Sequence, residues 1–545
     1  MIAFQHVNFR YQNQQAPVLV DVCVEIDEGT LVLVSGPTGA GKSTLLGAIN
    51  GHVPHFTGGL MGGRVIVDAL DTRDYPPREL AGVVGYVGQD PLRGFVTDTV
   101  EDELAYGMEQ LGFAPDVMRR RVEDTLDLVS IAELRDRPLR ALSGGQQQRA
   151  AIASVLAAGA KVLVLDEPTS ALDPQSGEEV LATLLRLVHD MGITVVIAEH
   201  RLERVLEYAD EMLLLDGRGG VTQSSPAQAM RTSPLAPPVV ELGRLAGWHP
   251  LALNVRDARR LAGPLRQRLG DALPDDSRRA PVPSTTVQDD GAGDQTGLSA
   301  RDMQVRYGPT VAVEGVAIEL PAGQVTALVG RNGAGKSSLL WALTGIGPCQ
   351  GGRWFVGDTE LTHAGAAVIR RSVRLVPQSA GDLLYLESVD EECRAADKQS
   401  GMAPGTCREI LDGLLPGVSG GQQPRDLSEG QRLALVLAIQ LMGRPAVLLL
   451  DEPTRGLDYP AKSALGAALR ALTARGRAVC LATHDVEFIA MYADRVVVMA
   501  QGEVIQAGAV GDVLVASATF TPQVAKTLAP QRWLTVPQVA AGLGA

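Results

Sequence analysis

The sequence predicts an α/β protein in which one structural unit occurs twice. Two glycine-rich segments of the same pattern, residues 36–43 and 330–337, are each followed by the same motifs in the same order. The two copies are offset by 294 residues at Lys42 and Lys336 and by 285 residues at the acidic motifs farther on. We interpret the chain as a tandem duplication with small deletions in the second copy.

Each copy begins with residues that alternate in the manner of a strand, as in 2–9. Strands are predicted at 30–35 and 325–329, directly before the glycine-rich segments, and each segment leads into a helix. The aliphatic runs 162–165 and 447–450 predict parallel strands that are buried on both faces. The fold class is therefore α/β, and a smaller helical insert is expected in each copy.

Length and composition limit the classes of function. A chain of 545 residues is too long for one core and suggests three to four domain-sized units. The formal net charge of −14 argues against a nucleic-acid-binding surface, so no nucleic-acid partner is expected. The cysteines are scattered without a C-x-x-C pair, which predicts neither a zinc site nor a disulfide framework. They are Cys23, Cys349, Cys393, Cys407 and Cys480.

No apolar stretch approaches the ~20 residues that span a bilayer. The best candidate, 434–442, is about half that length and contains Gln440. The first residues lack a basic segment ahead of an apolar one, so no secretory signal is expected. If this protein moves a molecule across a membrane, other chains must form the channel.

The predicted boundaries are a first domain at 1–230 with an extension at 231–279, and a second domain at 298–515 with an extension at 516–545. The two extensions resemble each other weakly, 238–255 against 522–536. Between the halves, 280–297 is rich in Pro, Ser, Thr, Gly and Asp, which predicts a flexible linker. Such a linker would let unlike halves pair within one chain.

The glycine-rich segments have the pattern of phosphate-binding loops, G-x-x-x-x-G-K-[ST]. Their backbone N–H groups are expected to surround the phosphates of ATP, with a helix N-terminus adding favourable partial charge. Lys42 and Lys336 are expected to reach the β- and γ-phosphates, and Ser43 and Ser337 to ligate Mg²⁺. The nucleotide-binding residues predicted here are Gly36, Gly39, Gly41, Lys42, Ser43 and Thr44, and Gly330, Gly333, Gly335, Lys336, Ser337 and Ser338.

Acidic pairs end the two aliphatic strands. Asp166 and Asp451 are expected to hold Mg²⁺, and Glu167 and Glu452 to act as general bases on the attacking water. A carboxylate at a strand end can also be a helix cap, but the preceding phosphate-binding loop favours the catalytic interpretation.

Two further side chains recur at matching positions. Gln89 and Gln378 fit a glutamine that contacts both the metal and the water, and this rests on their position alone. His200 and His484 follow the predicted strands 194–198 and 479–482, where an imidazole can contact the γ-phosphate. A lone histidine more often has no special role, and the repetition favours the functional interpretation.

The last motif has the form LSxGQ, at 142–146 and 427–431. With the other motifs it resembles ABC-type ATPases over 2–220 and 298–515. The resemblance implies in each copy a RecA-like core, an antiparallel β subdomain and a helical subdomain. It also implies two composite ATP sites, in which the signature of one half caps the ATP held by the loop of the other. The signature residues expected to contact ATP are Ser143, Gly145 and Gln146, and Ser428, Gly430 and Gln431.

The resemblance pairs Lys42 with Ser428 and Gly430, and Lys336 with Ser143 and Gly145. Tyr11 and Tyr307, about thirty residues before the lysines, resemble the aromatic residues on which adenine stacks in this family. Each can instead be a tyrosine packed at the end of a strand.

A second candidate signature, 419–422, stands 32 residues before Asp451, whereas Ser143 and Ser428 each precede their aspartate by 23. Pro424 would also fall inside the helix that must follow, so we reject this candidate. The accepted second signature carries Glu429 where the first has Gly144. An acidic side chain beside a phosphate weakens binding unless it points away, which leaves the equality of the two sites open.

Residues 96–107 and 109–112 resemble the segment by which energy-coupling-factor (ECF) and cobalt-type importer ATPases meet their transmembrane partner. A shorter version occurs at 386–393, and the glycine-rich run 58–65 fits the same group. An amphipathic helix packing only within its own domain is the alternative. The resemblance implies a transmembrane coupling subunit and a substrate-binding membrane subunit as partners. It also implies a location on the cytoplasmic face of the membrane, with a vitamin, a vitamin precursor or a transition-metal ion as cargo.

Other ABC proteins remain as alternatives. Fused sugar-importer ATPases usually have a degraded second phosphate-binding loop, which is intact here, and an ATPase of a peptide transporter is also possible. A translation factor of this type carries a basic linker, whereas 232–297 contains eight basic and eight acidic residues. An ABC protein of DNA repair would need a long coiled-coil or zinc insertion, and this sequence shows neither.

Overall fold

The computed structural model describes residues 1–12, 16–170, 172–274 and 296–544. It divides into two compact units, Met1–Asn254 and Val255–Ala545. The predicted linker, 280–297, lies outside the described residues except for its last two positions.

Unit 1 contains two sheets within its described residues. One is antiparallel with strand order β2-β1-β4-β5, and the other has the order β10-β9-β3-β8-β7-β6 and is parallel except for β10. The strands are β1 (Ile2–Arg10), β2 (Leu19–Ile26), β3 (Leu31–Ser35), β4 (Leu60–Val67), β5 (Leu70–Asp71), β6 (Val84–Val87), β7 (Val162–Asp166), β8 (Thr194–Ala198), β9 (Glu211–Leu215) and β10 (Val221–Ser224).

The burial of the strands follows their sequence patterns. β1 and β2 alternate buried and exposed residues because one face of the antiparallel sheet packs on the core. β3 and β8 are buried at every position, as expected for central strands of a parallel sheet that is covered on both faces. Valine and leucine side chains from both sheets form one core cluster with the helix that follows β3.

The helices of unit 1 cover the parallel sheet and form the predicted insert between Gln89 and the signature. The insert consists of α4 and α5, which pack on α6. The helices are α1 (Lys42–Ile49), α2 (His52–His55), α3 (Pro77–Leu80), α4 (Val100–Gln110), α5 (Pro115–Leu128), α6 (Gly144–Ala157), α7 (Pro174–Met191), α8 (Leu202–Val205), α9 (Pro226–Thr232) and α10 (Pro238–Ala246).

Unit 2 repeats this architecture. Its sheets have the orders β12-β11-β14-β15 and β16-β17-β18-β13-β19-β20 within the described residues. The strands are β11 (Leu298–Tyr307), β12 (Thr310–Leu320), β13 (Val325–Val329), β14 (Gly351–Val356), β15 (Thr359–Glu360), β16 (Val373–Val376), β17 (Val447–Asp451), β18 (Ala478–Ala482), β19 (Arg495–Ala500) and β20 (Glu503–Ala509).

The helices of unit 2 include two that precede its first strand, α11 (Val255–Leu261) and α12 (Gly263–Leu269). The others are α13 (Lys336–Leu343), α14 (Ala366–Ser372), α15 (Val389–Ser400), α16 (Thr406–Leu414), α17 (Glu429–Leu441), α18 (Tyr459–Ala474), α19 (Val486–Tyr492), α20 (Val510–Ala516), α21 (Gln523–Leu528) and α22 (Val536–Gly542). The insert here is α15 and α16, which pack on α17.

Within the described residues, the extension expected at 231–279 is divided between the two units. Residues up to Asn254 belong to unit 1, whereas α11 packs against α21 in unit 2. The Arg266 guanidinium donates to the carbonyl oxygen of Thr527 at 2.6 Å, and the Gln531 amide donates to the carbonyl oxygen of Arg266 at 3.1 Å. Hydrogen bonds to main-chain carbonyls leave no trace in a composition pattern, so the sequence did not reveal this boundary.

No helix among the described residues combines the length and apolar character needed to cross a bilayer. The apolar run 434–442 belongs to α17 and the turn after it.

Candidate nucleotide-binding sites

The phosphate-binding loop of unit 1 joins β3 to α1. Gly41 caps the helix with a left-handed backbone, φ +98°, which glycine adopts without a steric penalty. Lys42 is buried and its ammonium donates to the carbonyl oxygens of Gly36, at 2.9 Å, and Pro37, at 3.2 Å. The lysine charge therefore lies beside the N-terminus of α1, where both favour an anion.

Unit 2 builds the same loop between β13 and α13. The Lys336 ammonium donates to the carbonyl oxygen of Gly330 at 2.8 Å and lies 3.4 Å from His484 Nε2. Gly335 has φ +96°, and a Cβ atom there would lie 2.2 Å from the carbonyl oxygen of Ala312. This position therefore requires glycine for space as well as for conformation.

The acidic pair of unit 1 meets the other predicted side chains at the end of β7. His200 Nε2 lies 2.9 Å from one carboxylate oxygen of Glu167, and the Gln89 amide donates to the other at 3.2 Å. Burial raises the pKa of Asp166, while a hydrogen bond from Ser43 and the charge of Lys42 oppose that shift. Six of the residues predicted for this site are thus in one cluster.

Unit 2 forms the equivalent cluster at the end of β17. His484 Nε2 lies 3.1 Å from a carboxylate oxygen of Glu452, and burial raises the pKa of Asp451. Ser337 hydrogen-bonds to the Asp451 carboxylate. Gln378 is exposed here, whereas Gln89 of unit 1 is half-buried.

The oxygen ligands in these clusters fit Mg²⁺. Oδ1 of Asp451 is buried and accepts no hydrogen bond from any described residue, which is the state expected of an oxygen that awaits a cation. Carboxylate and hydroxyl oxygens are the protein ligands that Mg²⁺ takes beside ATP phosphates. Ser43 with Asp166, and Ser337 with Asp451, would hold the ion, which when bound neutralises phosphate charge.

Both predicted bases have an unusual backbone. Glu167 has φ +51° and Glu452 φ +49°, a left-handed conformation that is uncommon for a residue other than glycine. Each donates its N–H to the last residue of the neighbouring strand, Ala198 or Ala482. The carboxylate of each residue contacts a histidine, and backbone strain of this kind concentrates at functional sites.

The two signatures begin helices with the same cap. Ser143 and Ser428 are the N-caps of α6 and α17, and each accepts a hydrogen bond from the N–H of the glutamine three residues on. The Gln146 and Gln431 side chains accept from the serine N–H groups, at 2.9 and 3.0 Å. These glutamine side chains therefore stabilise the caps, which place a serine hydroxyl at each helix N-terminus. Gly145 and Gly430 lie in the first turns of the two helices.

The rejected signature, 419–422, forms a turn whose carbonyl oxygens accept hydrogen bonds from N–H groups at the start of α15. The helix α17 starts later, at Glu429. The Glu429 carboxylate accepts from the Arg432 guanidinium at 2.6 Å within the first turn of α17. Its charge is therefore partly neutralised inside its own helix.

The two predicted adenine-stacking tyrosines differ in their surroundings. The Tyr11 hydroxyl lies 2.9 Å from Thr44 Oγ1, and its ring packs edge-on against Phe9. Tyr307 ends β11 and is 48% exposed. Ser338, the counterpart of Thr44, lies half-buried in the first turn of α13. The other predicted glycines, Gly39 and Gly333, have φ +80° and +79° in their loops.

Sequence reasoning missed a buried carboxyl group beside the unit 1 site. Glu199 is 1% exposed and accepts from Thr169 N at 2.9 Å and from Thr169 Oγ1 at 2.6 Å. Burial raises its pKa. In unit 2 the corresponding pair is Thr483 and Thr454, whose hydroxyl oxygens are 2.7 Å apart. The sequence does contain a signal for this group, because Glu199 directly follows the strongly apolar strand β8.

Comparisons with known proteins agree with this geometry. The family model described as ABC transporter matches residues 19–170 and 313–455. A protein of Streptomyces avermitilis, provisionally named as an ABC transporter ATP-binding protein, is 55% identical over 99% of both chains. A protein of Methanosarcina mazei with the same provisional name is 32% identical over 94% of this chain and 90% of its own.

A solved structure, cbiO1 of Clostridium perfringens, part of the ABC transporter complex cbiONQ, is 31% identical with a TM-score of 0.39 and covers 42% of this chain and 90% of its own. Two family matches fall on the two units that carry the phosphate-binding loops, the acidic pairs and the capped signatures. The chain belongs to the ABC transporter family and is an ATPase with two tandem ATP-binding domains that use ATP with Mg²⁺.

Proposed function

We propose that this chain is the ATP-hydrolysing subunit of an ECF-type importer, bound to the cytoplasmic face of the membrane through a transmembrane coupling subunit. A separate substrate-binding membrane subunit would select the cargo, a vitamin, a vitamin precursor or a transition-metal ion. The observation that carries this proposal is the segment after Gln89, which presents apolar side chains to solvent and is fastened to the helical insert.

In unit 1 the fastening is made by a buried glutamate. Glu103, on α4, is 6% exposed, and one of its carboxylate oxygens accepts from the N–H groups of Val96 and Thr97, at 3.0 and 2.9 Å. Val96 itself is 63% exposed, and Leu92 is 43% exposed. Because the segment starts at the glutamine that contacts Glu167, its position is mechanically connected to the catalytic cluster.

Unit 2 repeats the arrangement with different side chains. Glu392, on α15, is 6% exposed and accepts from the N–H groups of Tyr385 and Leu386, at 2.5 and 2.7 Å. Tyr385 is 81% exposed and Leu386 41%. Exposed apolar groups on an ordered backbone are typical of a protein interface. The exposed apolar side chains in both units support the interface interpretation of this stretch over packing within its own domain alone.

For the reaction itself we propose that each ATP is held between the halves. Lys42 would share its ATP with Ser428 and Gly430, and Lys336 with Ser143 and Gly145, since each signature offers a helix N-terminus and a serine hydroxyl. Glu167 and Glu452 would accept the proton of the attacking water, and His200 and His484 hold those carboxylates in place. Closing of the halves on ATP would move the two exposed segments and hence the membrane subunits.

The test is purification of the tagged chain from detergent-solubilised membranes of its source cell, with partners identified by mass spectrometry. We expect a multispanning coupling protein together with a small, very apolar binding subunit. Recovery of the membrane subunits of a sugar or peptide transporter would assign another ABC class. Recovery of ribosomes, without membrane protein, would replace the proposal by a translation factor.

A substitution checks the proposed surface. Val96→Asp should remove the coupling protein from the purified complex, because a charge would be buried at the interface without a partner. Ile505→Asp is the matched control, since Ile505 is also 63% exposed but lies on β20. Equal loss of the partner in both variants would show that the effect is not specific to the segment after Gln89.

A further inference from the structure

Three potential metal ligands, none of them a predicted ATP-site residue, meet on the antiparallel sheet of unit 1. His6 Nδ1 lies 2.8 Å from Asp21 Oδ1 and 3.5 Å from Cys23 Sγ, and the three ligand atoms lie within 4.8 Å of one another. All three residues are exposed. This group was not recognisable from the sequence, because its members come from two strands.

An irregularity in the pairing of β1 with β2 brings the side chains together. The register shifts between Phe4 and Val7 and again between Val7 and Phe9. His6, φ +52°, and Asp21, φ +47°, lie in the left-handed region at this bulge. Two non-glycine residues in this conformation face each other across the strand pair.

The Asn8 side chain fixes both of these residues. Its amide nitrogen donates to the carbonyl oxygen of His6 at 3.0 Å, and its amide oxygen accepts from the N–H of Asp21 at 2.9 Å. The backbones that carry two of the three ligand atoms are therefore held before any ion binds. A metal site gains affinity from this kind of support.

Unit 2 supplies an internal comparison. Its strands β11 and β12 have the same bulge, with Asp302 at φ +53° and Gly315 at φ +62° where unit 1 has His6 and Asp21. Ala317 occupies the position of Cys23. The bulge therefore forms without histidine or cysteine, and the ligand set is an addition found in the first copy.

We propose that His6, Asp21 and Cys23 bind one divalent transition-metal ion of the Zn²⁺ class. Imidazole nitrogen, carboxylate oxygen and thiolate sulfur are the three ligand types that Zn²⁺ takes in proteins, at roughly 2.0–2.3 Å. Ligand atoms already 2.8 and 3.5 Å apart need only small rotations to reach such distances from a common ion. Binding releases the proton of the Cys23 thiol, and the His6 nitrogen that binds must be unprotonated.

A plain surface ion pair between His6 and Asp21 does not account for the third member. The two side chains are 80% and 67% exposed, so solvent screens most of their attraction. It gives no reason for an exposed thiol beside the imidazole. With three protein ligands, the ion keeps an open position for water or a further ligand.

The experiment is a titration of the reduced, nucleotide-free full chain with Co²⁺, followed by absorption and then by addition of Zn²⁺. We expect one Co²⁺ per chain with a thiolate-to-cobalt charge-transfer band, and displacement of that band by Zn²⁺. The variants copy or mimic unit 2 so that the bulge is kept: Cys23→Ala, Asp21→Gly and His6→Asn, the last because asparagine tolerates the left-handed backbone.

Cys23→Ala should abolish the band, and Asp21→Gly and His6→Asn should each weaken Co²⁺ binding at least tenfold. The double variant Cys349→Ala, His363→Ala is the control and should bind as the native chain does. Absence of the band in the native chain, or its persistence in Cys23→Ala, would overturn the proposal. Far-ultraviolet circular dichroism of each variant shows whether the fold is retained, and if one variant unfolds the other two decide.

Discussion

Replacing the two proposed bases by glutamine, singly and together, tests the central chemistry. In the native chain one carboxylate oxygen of Glu167 faces His200 Nε2 at 2.9 Å and the other accepts from Gln89 at 3.2 Å. Glutamine has the same size but only one acceptor oxygen, so one of these two contacts is lost. The effect on folding is therefore about 1 kcal/mol.

The effect on catalysis should be larger. Loss of a general base lowers the rate by roughly 10²–10⁴-fold, which is about 3–5 kcal/mol in the activation free energy. Because this exceeds the loss in stability several-fold, a folded variant with little turnover is expected. The double variant, Glu167→Gln with Glu452→Gln, should also retain bound ATP.

The assay is steady-state phosphate release with Mg²⁺ and ATP, accompanied by nucleotide retention on a desalting column. Glu178→Gln, an exposed residue of α7, is the control and should keep native turnover. More than a tenth of native turnover in the double variant would refute the assignment of the bases.

The single variants address the equality of the two sites. Since Arg432 partly neutralises Glu429, we expect Glu167→Gln and Glu452→Gln to lose activity to a similar extent. A difference of tenfold or more between them would mean that Glu429 still weakens the site that its signature completes.

Four further predictions concern Glu199, Asp451 and the phosphate-binding loop of unit 2. Glu199→Thr copies unit 2 and should change the free energy of unfolding by less than about 1 kcal/mol at pH 7. Glu199→Ala should cost about 3 kcal/mol, because it leaves a buried N–H unpaired beside a cavity. Urea unfolding of both variants measures the contrast, and equal losses of stability would contradict it. Because burial raises the pKa of Glu199, its contribution to stability is largest below the pKa of the unfolded state and falls as the pH rises through the pKa of the folded state. The stability of Glu199→Thr relative to the native chain should therefore increase with pH. A difference that does not change with pH would show that the carboxyl group is not desolvated. Asp451→Asn removes a buried charge, so without nucleotide it should raise the melting temperature by the equivalent of about 1 kcal/mol. The same variant should abolish the stabilisation that Mg²⁺ adds in the presence of ATP. Calorimetry measures both effects. Gly335→Ala should abolish either the folding of unit 2 or its ATP binding, since the new methyl group would lie 2.2 Å from a carbonyl oxygen. Gly333→Ala places its methyl group in open space and should cost only about 1 kcal/mol for its positive φ. Binding of a fluorescent ATP analogue and thermal unfolding distinguish the two variants.

Much of the fold was predictable because its signals are local. The strand, glycine loop and helix around Lys42 follow one another along the chain, and the buried run before Asp166 is apolar at each position. The repetition then fixed the second copy by the same rules. The rejected signature at 419–422 was also decided locally, by spacing and by Pro424.

The gathering of Gln89, Glu167 and His200 was predicted from motif order, while its geometry was not. The left-handed backbone of Glu167 follows from the N–H bond to Ala198, a residue 31 positions later. The same reason hid the extension helix α11, whose neighbours on α21 are more than 260 residues away.

The sequence by itself determined that two copies of an α/β ATPase domain are present and which residues form each phosphate-binding loop, because strand periodicity and glycine spacing act over a few residues. Only the tertiary structure decided that Glu429 is paired with Arg432, that Glu199 is buried under Thr169, and that His6, Asp21 and Cys23 meet. The scattered cysteines predicted no metal site, since a spacing rule along one segment does not detect ligands from two paired strands. The register of β1 against β2 is set by the burial of their apolar faces, and that burial placed the exposed thiol beside the imidazole.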